Sequence, residues 1–262
     1  MFTEGSILAN YFYLGLALLC LASFIAGYVD SIAGGGGLIT MPAFLMLGFL
    51  PQNAMAQAKF VSGVGTMVAI KNFIKSKSII WKIIPLGFIF ALFGAFVGSK
   101  IILILSPKIV YYIILILMPF GLLTTLYKSR IKNQYTIKDF KYSSLLVSIT
   151  CFMVGFYDGF FGPGTGSILI ICLYTINKVP LLNASATTKI INFASNLGAF
   201  ITFTLAGKVA FLIGLPMVLA SMLGNHLGSM HAIKTNGDVI KKVLVITVAI
   251  MFVTVALQVF GS

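Results

Sequence analysis

The sequence predicts an all-α integral membrane protein that consists of two inverted repeats of about five helical segments each. Hydrophobic residues make up 59% of the 262 residues, charged residues make up 9%, and the mean hydropathy is +1.07. Soluble domains contain about 25% charged residues, so a soluble core cannot bury this much apolar surface. In addition, an aspartate beside a glycine-rich break occurs twice, which is typical of transporters built from repeats.

Ten apolar segments follow one another along the chain. Most are long enough for a helix that crosses about 30 Å of hydrocarbon. Two are short, and each follows a glycine-rich break and precedes a proline, Pro51 or Pro180. They are expected to be broken helices or re-entrant hairpins, and the sequence leaves open whether they cross fully. The segments are 7–29, 37–50, 54–74, 83–105, 109–127, 143–161, 167–177, 184–206, 209–232 and 239–260.

Three pairs of matching stretches indicate that the chain is duplicated. Residues 27–37 (GYVDSIAGGGG) match 155–166 (GFYDGFFGPGTG), residues 53–59 (NAMAQAK) match 183–189 (NASATTK), and residues 94–99 (GAFVGS) match 224–229 (GNHLGS). The first transmembrane repeat is therefore predicted at residues 1–127 and the second at residues 143–262. A basic linker, residues 128–142, joins them.

Lysines and arginines in the loops predict the orientation. They cluster after the third segment, in the linker and before the last segment, and with ten segments counted all three clusters fall on one side, expected to be the cytoplasm. Both termini are then expected outside the cell membrane. Each half has five segments, and this odd number makes the two halves insert upside down relative to each other. If the short segment of each half is re-entrant, three crossings remain in each half, and the number is still odd. The clusters contain Lys71, Lys75, Lys77 and Lys82; Lys128, Arg130, Lys132, Lys138 and Lys141; and Lys234, Lys241 and Lys242.

Composition also excludes several functional classes. The net charge of +13 is spread through these loops with few aromatic residues among them, which does not indicate nucleic-acid binding. Cys20, Cys151 and Cys172 lie in apolar segments without metal-ligand spacing, so neither a metal nor another cofactor is expected.

Asp30 and Asp158 are the candidate coupling or gating groups. The chain has only five acidic residues, and these two lie within apolar segments or at their edge. A carboxylate at the membrane centre costs about 2.5–3.5 kcal/mol on insertion scales, so a use or a partner is expected. One interpretation is proton coupling or gating. The other is that each aspartate caps the free N–H groups of the following broken helix, and the two roles can coexist.

The two glycine-rich breaks are candidate anion-binding elements. Glycine lets backbone N–H groups approach a ligand, and a helix N-terminus favours anions. Two inverted copies could direct two helix N-termini at one central anion; the alternative is that the glycines serve tight helix crossing or act as hinges. The candidate residues are Gly34, Gly35, Gly36, Gly37, Gly162, Gly164, Thr165 and Gly166.

Lys59 and Lys189 are a matched pair of cations in the two halves. Each lysine alone is explained by snorkelling to the nearer interface, whereas the pair favours a shared cavity that attracts an anion, or pairing with the aspartates. Polar residues follow at helical spacing and could line the same path, or they could form hydrogen bonds between helices. They are Ser62 and Thr66 after Lys59, and Asn192, Ser195 and Asn196 after Lys189. Ser62, Asn192 and Asn196 are further candidate substrate-binding residues.

The pattern Gly-x-x-Asp-x-x-x-Gly-Gly-Gly-Gly-x-Ile-x-x-Pro at residues 27–42, followed by Asn-Ala-x-Ala-x-Ala-Lys at residues 53–59, resembles the TauE/SafE family of sulfite and sulfonate exporters. The resemblance covers nearly the whole chain and implies a permease of the inner (plasma) membrane for small sulfur-containing anions, with ion-gradient coupling as a possibility. The second copy departs from the first, because Pro163 and Thr165 interrupt its glycines.

The predicted function is therefore a secondary transporter, an exporter of sulfite or organosulfonates that works by alternating access. Two alternatives stay open at this stage. One is a membrane-embedded aspartyl enzyme whose two carboxylates share a proton, and the other is a passive anion channel. The expected partners are a small anion and the lipid bilayer, with a homo-oligomer possible; whether transport is import or export does not follow from the sequence.

Overall fold

The computed structural model describes residues 7–131 and 134–235. This part of the chain is helical and contains no β-strand. The predicted segment 239–260 lies outside the described residues. The helices are α1 (Ile7–Asn10), α2 (Phe12–Ala33), α3 (Gly37–Met46), α4 (Pro51–Lys75), α5 (Ile84–Ile104), α6 (Pro107–Arg130), α7 (Ser144–Phe160), α8 (Thr165–Thr175), α9 (Leu181–Leu205) and α10 (Phe211–Thr235).

The helices confirm a multi-pass membrane protein. By length and composition, four are able to cross a bilayer: α2, α5 with its preceding 3₁₀ turn, α6 and α10. Helices α4 and α9 have 25 residues each but are less apolar, because they carry polar side chains into the interior. The outer surface exposes large apolar side chains, such as Tyr13 (86%) and Leu212 (87%), as expected for contact with lipid.

Each short helix turns back beside the helix that precedes it. The Leu8 N–H, just before α2, donates to the Leu47 carbonyl at the end of α3 (3.4 Å). In the second half, the Lys141 N–H donates to the Asn177 carbonyl (2.8 Å), and the Asn177 amide donates to the Lys141 carbonyl (3.0 Å). Thus α2 with α3, and α7 with α8, form two helical hairpins whose tips are the glycine-rich breaks.

Small residues bring α5 against α7 and α10 against α2. A Cβ atom on Gly98 would lie 2.2 Å from the Phe156 carbonyl oxygen, and one on Gly228 would lie 2.3 Å from the Tyr28 carbonyl oxygen. Gly94 and Gly224, one helical turn earlier, contact Phe152 and Phe24 in the same way. Residue numbers rise together along both pairs, so α5 runs parallel to α7 and α10 runs parallel to α2.

Helices α4 and α9 cross at the centre and run antiparallel. Phe60 stacks on Phe200 with ring centroids 5.4 Å apart, while Gly63 lies against Asn196, so residue numbers fall along one helix as they rise along the other.

Each central helix also packs on a parallel outer helix from the other half of the chain. The contacts run from Gln57–Gly214 to Gly65–Ser221 between α4 and α10, and from Gly87–Ile191 to Leu92–Gly198 between α5 and α9. Helices α2, α4 and α10 therefore run in one direction, and α5, α7 and α9 run in the other.

The basic loops gather at one end of this bundle. The Lys82 ammonium lies 4.7 Å from the centre of the Tyr142 ring, which joins the α4–α5 loop to the linker. The Asn72 amide near the end of α4 donates to the Ser229 hydroxyl (2.7 Å), which brings the end of α10 to the same side. In the linker, hydrogen bonds from the Thr136 N–H (2.8 Å) and hydroxyl (2.9 Å) hold the pKa of the Asp139 carboxyl below its usual value.

Candidate functional site: a cavity between the two glycine-rich breaks

The tips of the two hairpins meet backbone to backbone. A Cβ atom on Gly34 would lie 2.5 Å from the Gly166 carbonyl carbon, and one on Gly37 would lie 3.1 Å from the Pro163 Cα atom. Gly34 also has a left-handed backbone (φ 76°), which ends α2 and turns the chain. Larger residues at these positions would separate the hairpins, so the local sequence fixes how closely the two halves approach.

A cavity of about 40 Å³ lies where the hairpin tips meet helices α4 and α9. This is room for a few water molecules or a small ion. Most of the candidate residues from the sequence are brought together here. The walls are formed by Asp30, Gly34, Gly37, Met41, Met55, Ala58, Lys59, Ser62, Asp158, Phe161, Gly162, Pro163, Thr165, Gly166, Asn192 and Asn196.

Lys59 of α4 forms a buried ion pair with Asp158 of α7. The Lys59 Nζ lies 2.6 Å from the Asp158 Oδ1, and the two side chains are 6% and 3% exposed. The second carboxylate oxygen, Oδ2, accepts a hydrogen bond from the Ser195 hydroxyl of α9 (2.6 Å). Asp158 therefore has a cation on one oxygen and a hydroxyl on the other.

Lys189 of α9 forms the matching ion pair with Asp30 of α2. The Lys189 Nζ lies 2.6 Å from the Asp30 Oδ2 and also donates to the Asp30 backbone carbonyl. The Gly36 N–H donates to the Asp30 Oδ1 (3.3 Å). The Asp30 side chain is 16% exposed, whereas the Lys189 side chain is 1% exposed, so this ammonium lies behind the cavity wall rather than in it.

The two ion pairs cross between the halves of the chain. Each lysine binds the aspartate of the other half, so the four charges cancel within the site. Snorkelling, which explained each lysine alone, is wrong because both ammonium groups are buried. Capping by aspartate is found at Asp30, through Gly36, but the partners of the Asp158 carboxylate are side chains of α4 and α9.

The sequence matches known membrane transporters. The family model described as "Sulfite exporter TauE/SafE" matches residues 19–255. The chain belongs to the TauE/SafE family. It is similar to the "Probable membrane transporter protein" of Haemophilus influenzae (34% identity; 90% of this chain and 92% of that protein) and to "Probable membrane transporter protein YfcA" of Escherichia coli K12 (32%; 90% and 87%). No solved structure matches.

Membership of the TauE/SafE family makes this chain a membrane transporter and not an enzyme. The geometry accords with that, because the two aspartates bind separate lysines instead of sharing a proton as an aspartyl enzyme requires. Among the described residues, no three His, Cys, Asp or Glu side chains are grouped as a metal site would need.

The glycines of this TauE/SafE protein serve different purposes. A Cβ atom on Gly162, where φ is 101°, would lie 2.9 Å from the Lys59 Nζ, so the missing side chain leaves room for the ammonium group. A Cβ atom on Gly164 would lie 2.8 Å from the Cα atom of Gly121 in α6, which is a packing role. Gly35, Gly36, Gly164 and Lys189 do not form the cavity wall, although Gly36 and Lys189 hold Asp30.

The wall formed by α4 and α9 has unused hydrogen-bonding groups. The Asn196 amide donates to the Asn192 backbone carbonyl (2.8 Å) and to the Asn192 side-chain oxygen (3.0 Å). Within the part of the chain that the structure describes, the Asn192 NH₂ group and the Ser62 hydroxyl donate to no other residue. Together with Lys59, they are donors at the cavity.

Sequence reasoning did not identify two features of the site. It named Ser195 among the polar residues after Lys189 but did not predict its hydrogen bond to Asp158. The available signal was that the matching position of the first half is Gly65. The apolar part of the wall, formed by Met41, Met55 and Phe161, had no signal in the sequence that separated it from ordinary core residues.

Proposed function

We propose that this TauE/SafE protein is a secondary transporter of small sulfur-containing anions, such as sulfite or an organosulfonate, that works by alternating access. The observation that carries the proposal is the buried Lys59 ammonium at the wall of a cavity shared by both halves of the chain. A cation is retained at such depth only with a partner or a use. Its partner, Asp158, is on a different helix, so an anion that enters the cavity can take the place of Asp158 as the counter-ion of Lys59.

The anion-binding surface consists of donors from both halves. Lys59, Ser62 and Asn192 contribute side chains, and the first turns of α3 and α8 reach the cavity at Gly37 and Gly166. The N–H groups of Leu38, Ile39 and Thr165 already donate to carbonyls of the breaks. The Gly37 and Gly166 N–H groups donate to no acceptor among the described residues, so they are the ones suited to an anion. A tetrahedral or pyramidal oxyanion has several acceptor oxygens, which suits donors that approach from several directions.

Alternating access follows if the two halves are inverted repeats. The proposal is supported by helix direction: α2, α4 and α5 run opposite to their sequence counterparts α7, α9 and α10. It is also supported by the exchange of partners, because α5 packs on α7 as α10 packs on α2. Rocking of one half against the other would open the cavity to either side in turn.

The proposed location is the inner membrane, with the basic end of the bundle in the cytoplasm. The first described residues lie at the other end, because Leu8 bonds to Leu47 just before the start of α4, and α4 ends at the basic end. Helix α2 would then start at the outer face, while the proposed outside location of both termini concerns residues beyond those described.

The substrate class is tested by thermal shift of the purified full-length protein against sulfite, sulfate, thiosulfate, sulfoacetate, taurine and methanesulfonate. We expect selective stabilisation by at least one sulfur anion, because a ligand that binds only the folded state raises its stability. Counterflow of that anion in proteoliposomes then separates a carrier from a passive channel. Absence of stabilisation by the whole panel would contradict the substrate class, and flux that is not accelerated by anion on the far side would favour the channel.

A further inference from the structure

The two ion pairs differ in what surrounds the carboxylate. Asp158 meets a hydroxyl, Ser195, which can both donate and accept. The two hydrogen bonds to the Asp30 carboxylate come from the Lys189 ammonium and the Gly36 N–H, which can only donate. The difference originates in the sequence, because Gly65 takes the place of Ser195 in the first half.

We infer that Asp158 takes up a proton when an anion binds Lys59, while Asp30 stays ionised and ties the two halves together through Lys189. This inference rests on the proposed function and assigns separate roles to the two aspartates. It makes the proton the coupling ion and makes proton and anion bind together, one of each.

Ser195 lets Asp158 exist in either protonation state without an unsatisfied polar group. With Asp158 ionised, the Ser195 hydroxyl donates to the Asp158 Oδ2 (2.6 Å). With Asp158 neutral, its new O–H donates to the Ser195 oxygen, and the Ser195 hydroxyl turns to the Asn192 backbone carbonyl, already 3.0 Å away. A buried polar group without a partner would be costly, so the second acceptor makes the neutral state accessible.

Asp30 has no comparable arrangement among the described residues. A proton on either carboxylate oxygen would face the Lys189 ammonium or the Gly36 N–H, neither of which accepts a hydrogen bond. Protonation would also leave the Lys189 cation buried without its counter-ion. Asp30 is therefore suited to the ionised state only.

The charge balance of the site requires this proton. Two lysines and two aspartates sum to zero, so a monoanion bound to Lys59 leaves one uncompensated negative charge in a buried site. A proton on Asp158 restores neutrality. Among the described residues around Asp158, Tyr157 is the remaining titratable neighbour, and its hydroxyl already donates to the Pro163 carbonyl. Helix α5 presents Gly94, Ala95 and Gly98 to this part of α7, and α8 contributes Thr165 and Gly166.

The test is isothermal titration of the purified full-length protein with methanesulfonate and with ethanesulfonate, two monoanions that do not titrate between about pH 5 and 8, so a proton taken up goes to the protein. The heat of anion binding is measured in two buffers with different ionisation enthalpies. The difference between the two heats gives the number of protons that the protein takes from the buffer for each bound anion. We expect about one proton per bound anion, and an affinity that falls about tenfold per pH unit once Asp158 is ionised in the free protein. Asp158→Asn should bind the anion without proton uptake and without dependence on pH.

Asp30→Asn/Lys189→Gln is the matched control, because it removes the other ion pair and leaves the net charge of the site at zero. It should still take up a proton, even if a weakened contact between the halves lowers its melting temperature. Infrared difference spectra, which detect the C=O stretch of a newly protonated carboxyl group, locate the proton if Asp158→Asn does not fold. The band should persist in Asp30→Asn/Lys189→Gln and shift in Ser195→Ala. Binding without proton uptake, or a band lost in Asp30→Asn/Lys189→Gln, would overturn this inference alone. Failure of both anions and of the whole panel above to bind would overturn the proposed function with it.

Discussion

At the scale of single residues, the site depends on two charge pairs placed where an unpaired charge is not tolerated. Lys59 and Asp158 are almost fully buried, and each is the counter-ion of the other. Removal of one partner of a buried pair costs about 3–5 kcal/mol, whereas removal of both together is often nearly neutral. The pair can therefore be separated experimentally into its structural and its ligand-binding contributions.

We predict that Lys59→Gln lowers the melting temperature markedly, because Asp158 then either stays ionised without its buried counter-ion or has to take up a proton at neutral pH. The double variant Lys59→Gln/Asp158→Asn should recover most of the loss, since neither charge is left. Melting in detergent at neutral pH measures both. A double variant that is less stable than Lys59→Gln would mean that the two side chains do not interact as the structure indicates.

Much of this residue-scale picture could be predicted from sequence. The candidate acids and lysines were identified because charged residues are rare in apolar segments and recur in both halves. Which lysine meets which aspartate could not be predicted, because the answer depends on how α4 and α9 cross the hairpins in space. The role of Ser195 was hidden for the same reason.

At the scale of helices, glycine determines how closely the backbones approach. Gly34 and Gly207 both have a left-handed backbone, with φ of 76° and 65°. A Cβ atom on Gly34 would meet Gly166 at 2.5 Å, whereas one on Gly207 would meet no atom within 4 Å. Substitutions at these two positions therefore distinguish the energetic cost of backbone strain from that of disturbing the contact between the hairpins.

We predict that Gly207→Ala costs only the strain of a left-handed backbone, about 1–2 kcal/mol. Gly34→Ala should cost clearly more and should also weaken anion binding, because the second hairpin must move away. Melting temperature and anion affinity are measured for both variants. Equal losses of stability would show that the contact between the hairpin tips contributes nothing.

The close packing of the parallel helix pairs, α5 with α7 and α10 with α2, can be tested in the same way. Gly98→Ala and Gly228→Ala place a Cβ atom 2.2 Å and 2.3 Å from a carbonyl oxygen of the neighbouring helix, so both should destabilise the protein to a similar extent. The control is Gly63→Ala, whose Cβ atom would lie 3.5 Å from the Asn196 Cβ. Alanine favours a helix over glycine by up to about 1 kcal/mol, so the control should melt at or above the wild-type temperature.

Hydrophobicity alone predicted the positions of the described helices but not how the short ones run. Segments 37–50 and 167–177 were left open between crossing and re-entrant forms, and the structure shows that α3 and α8 turn back. The decisive contacts, such as Lys141 with Asn177, join residues far apart in sequence. The interior position of α4 and α9 was likewise not visible, because a buried polar helix and a weakly apolar lipid-facing helix have similar compositions.

At the scale of the whole molecule, the proposed topology places the α4–α5 loop and the linker on one side of the membrane and the α5–α6 turn on the other. In a background without Cys20, Cys151 and Cys172, we predict that Lys77→Cys and Lys138→Cys react with a membrane-impermeant thiol reagent only from the cytoplasmic side. Ser106→Cys should react only from the outside. Labelling of Ser106→Cys and Lys138→Cys from the same side would rule out the proposed topology.

The same three-dimensional arrangement explains why the two halves of the chain form one unit. Each half supplies the aspartate that pairs with the other half's lysine, so neither half can form either ion pair alone. A movement that opens the cavity must keep Lys189 on Asp30 or give it another partner. The Lys59–Asp158 pair is the one that an entering anion can separate.

The most direct measurement compares anion binding to the wild-type protein and to the Lys59→Gln/Asp158→Asn double variant, because this variant removes the proposed binding cation without leaving a buried charge. Titration with thiosulfate or methanesulfonate should show binding to the wild-type protein and none to the double variant at a comparable melting temperature. Binding of the same anion with wild-type affinity to a folded double variant would contradict the claim that the substrate binds at Lys59 in the cavity shared by the two halves.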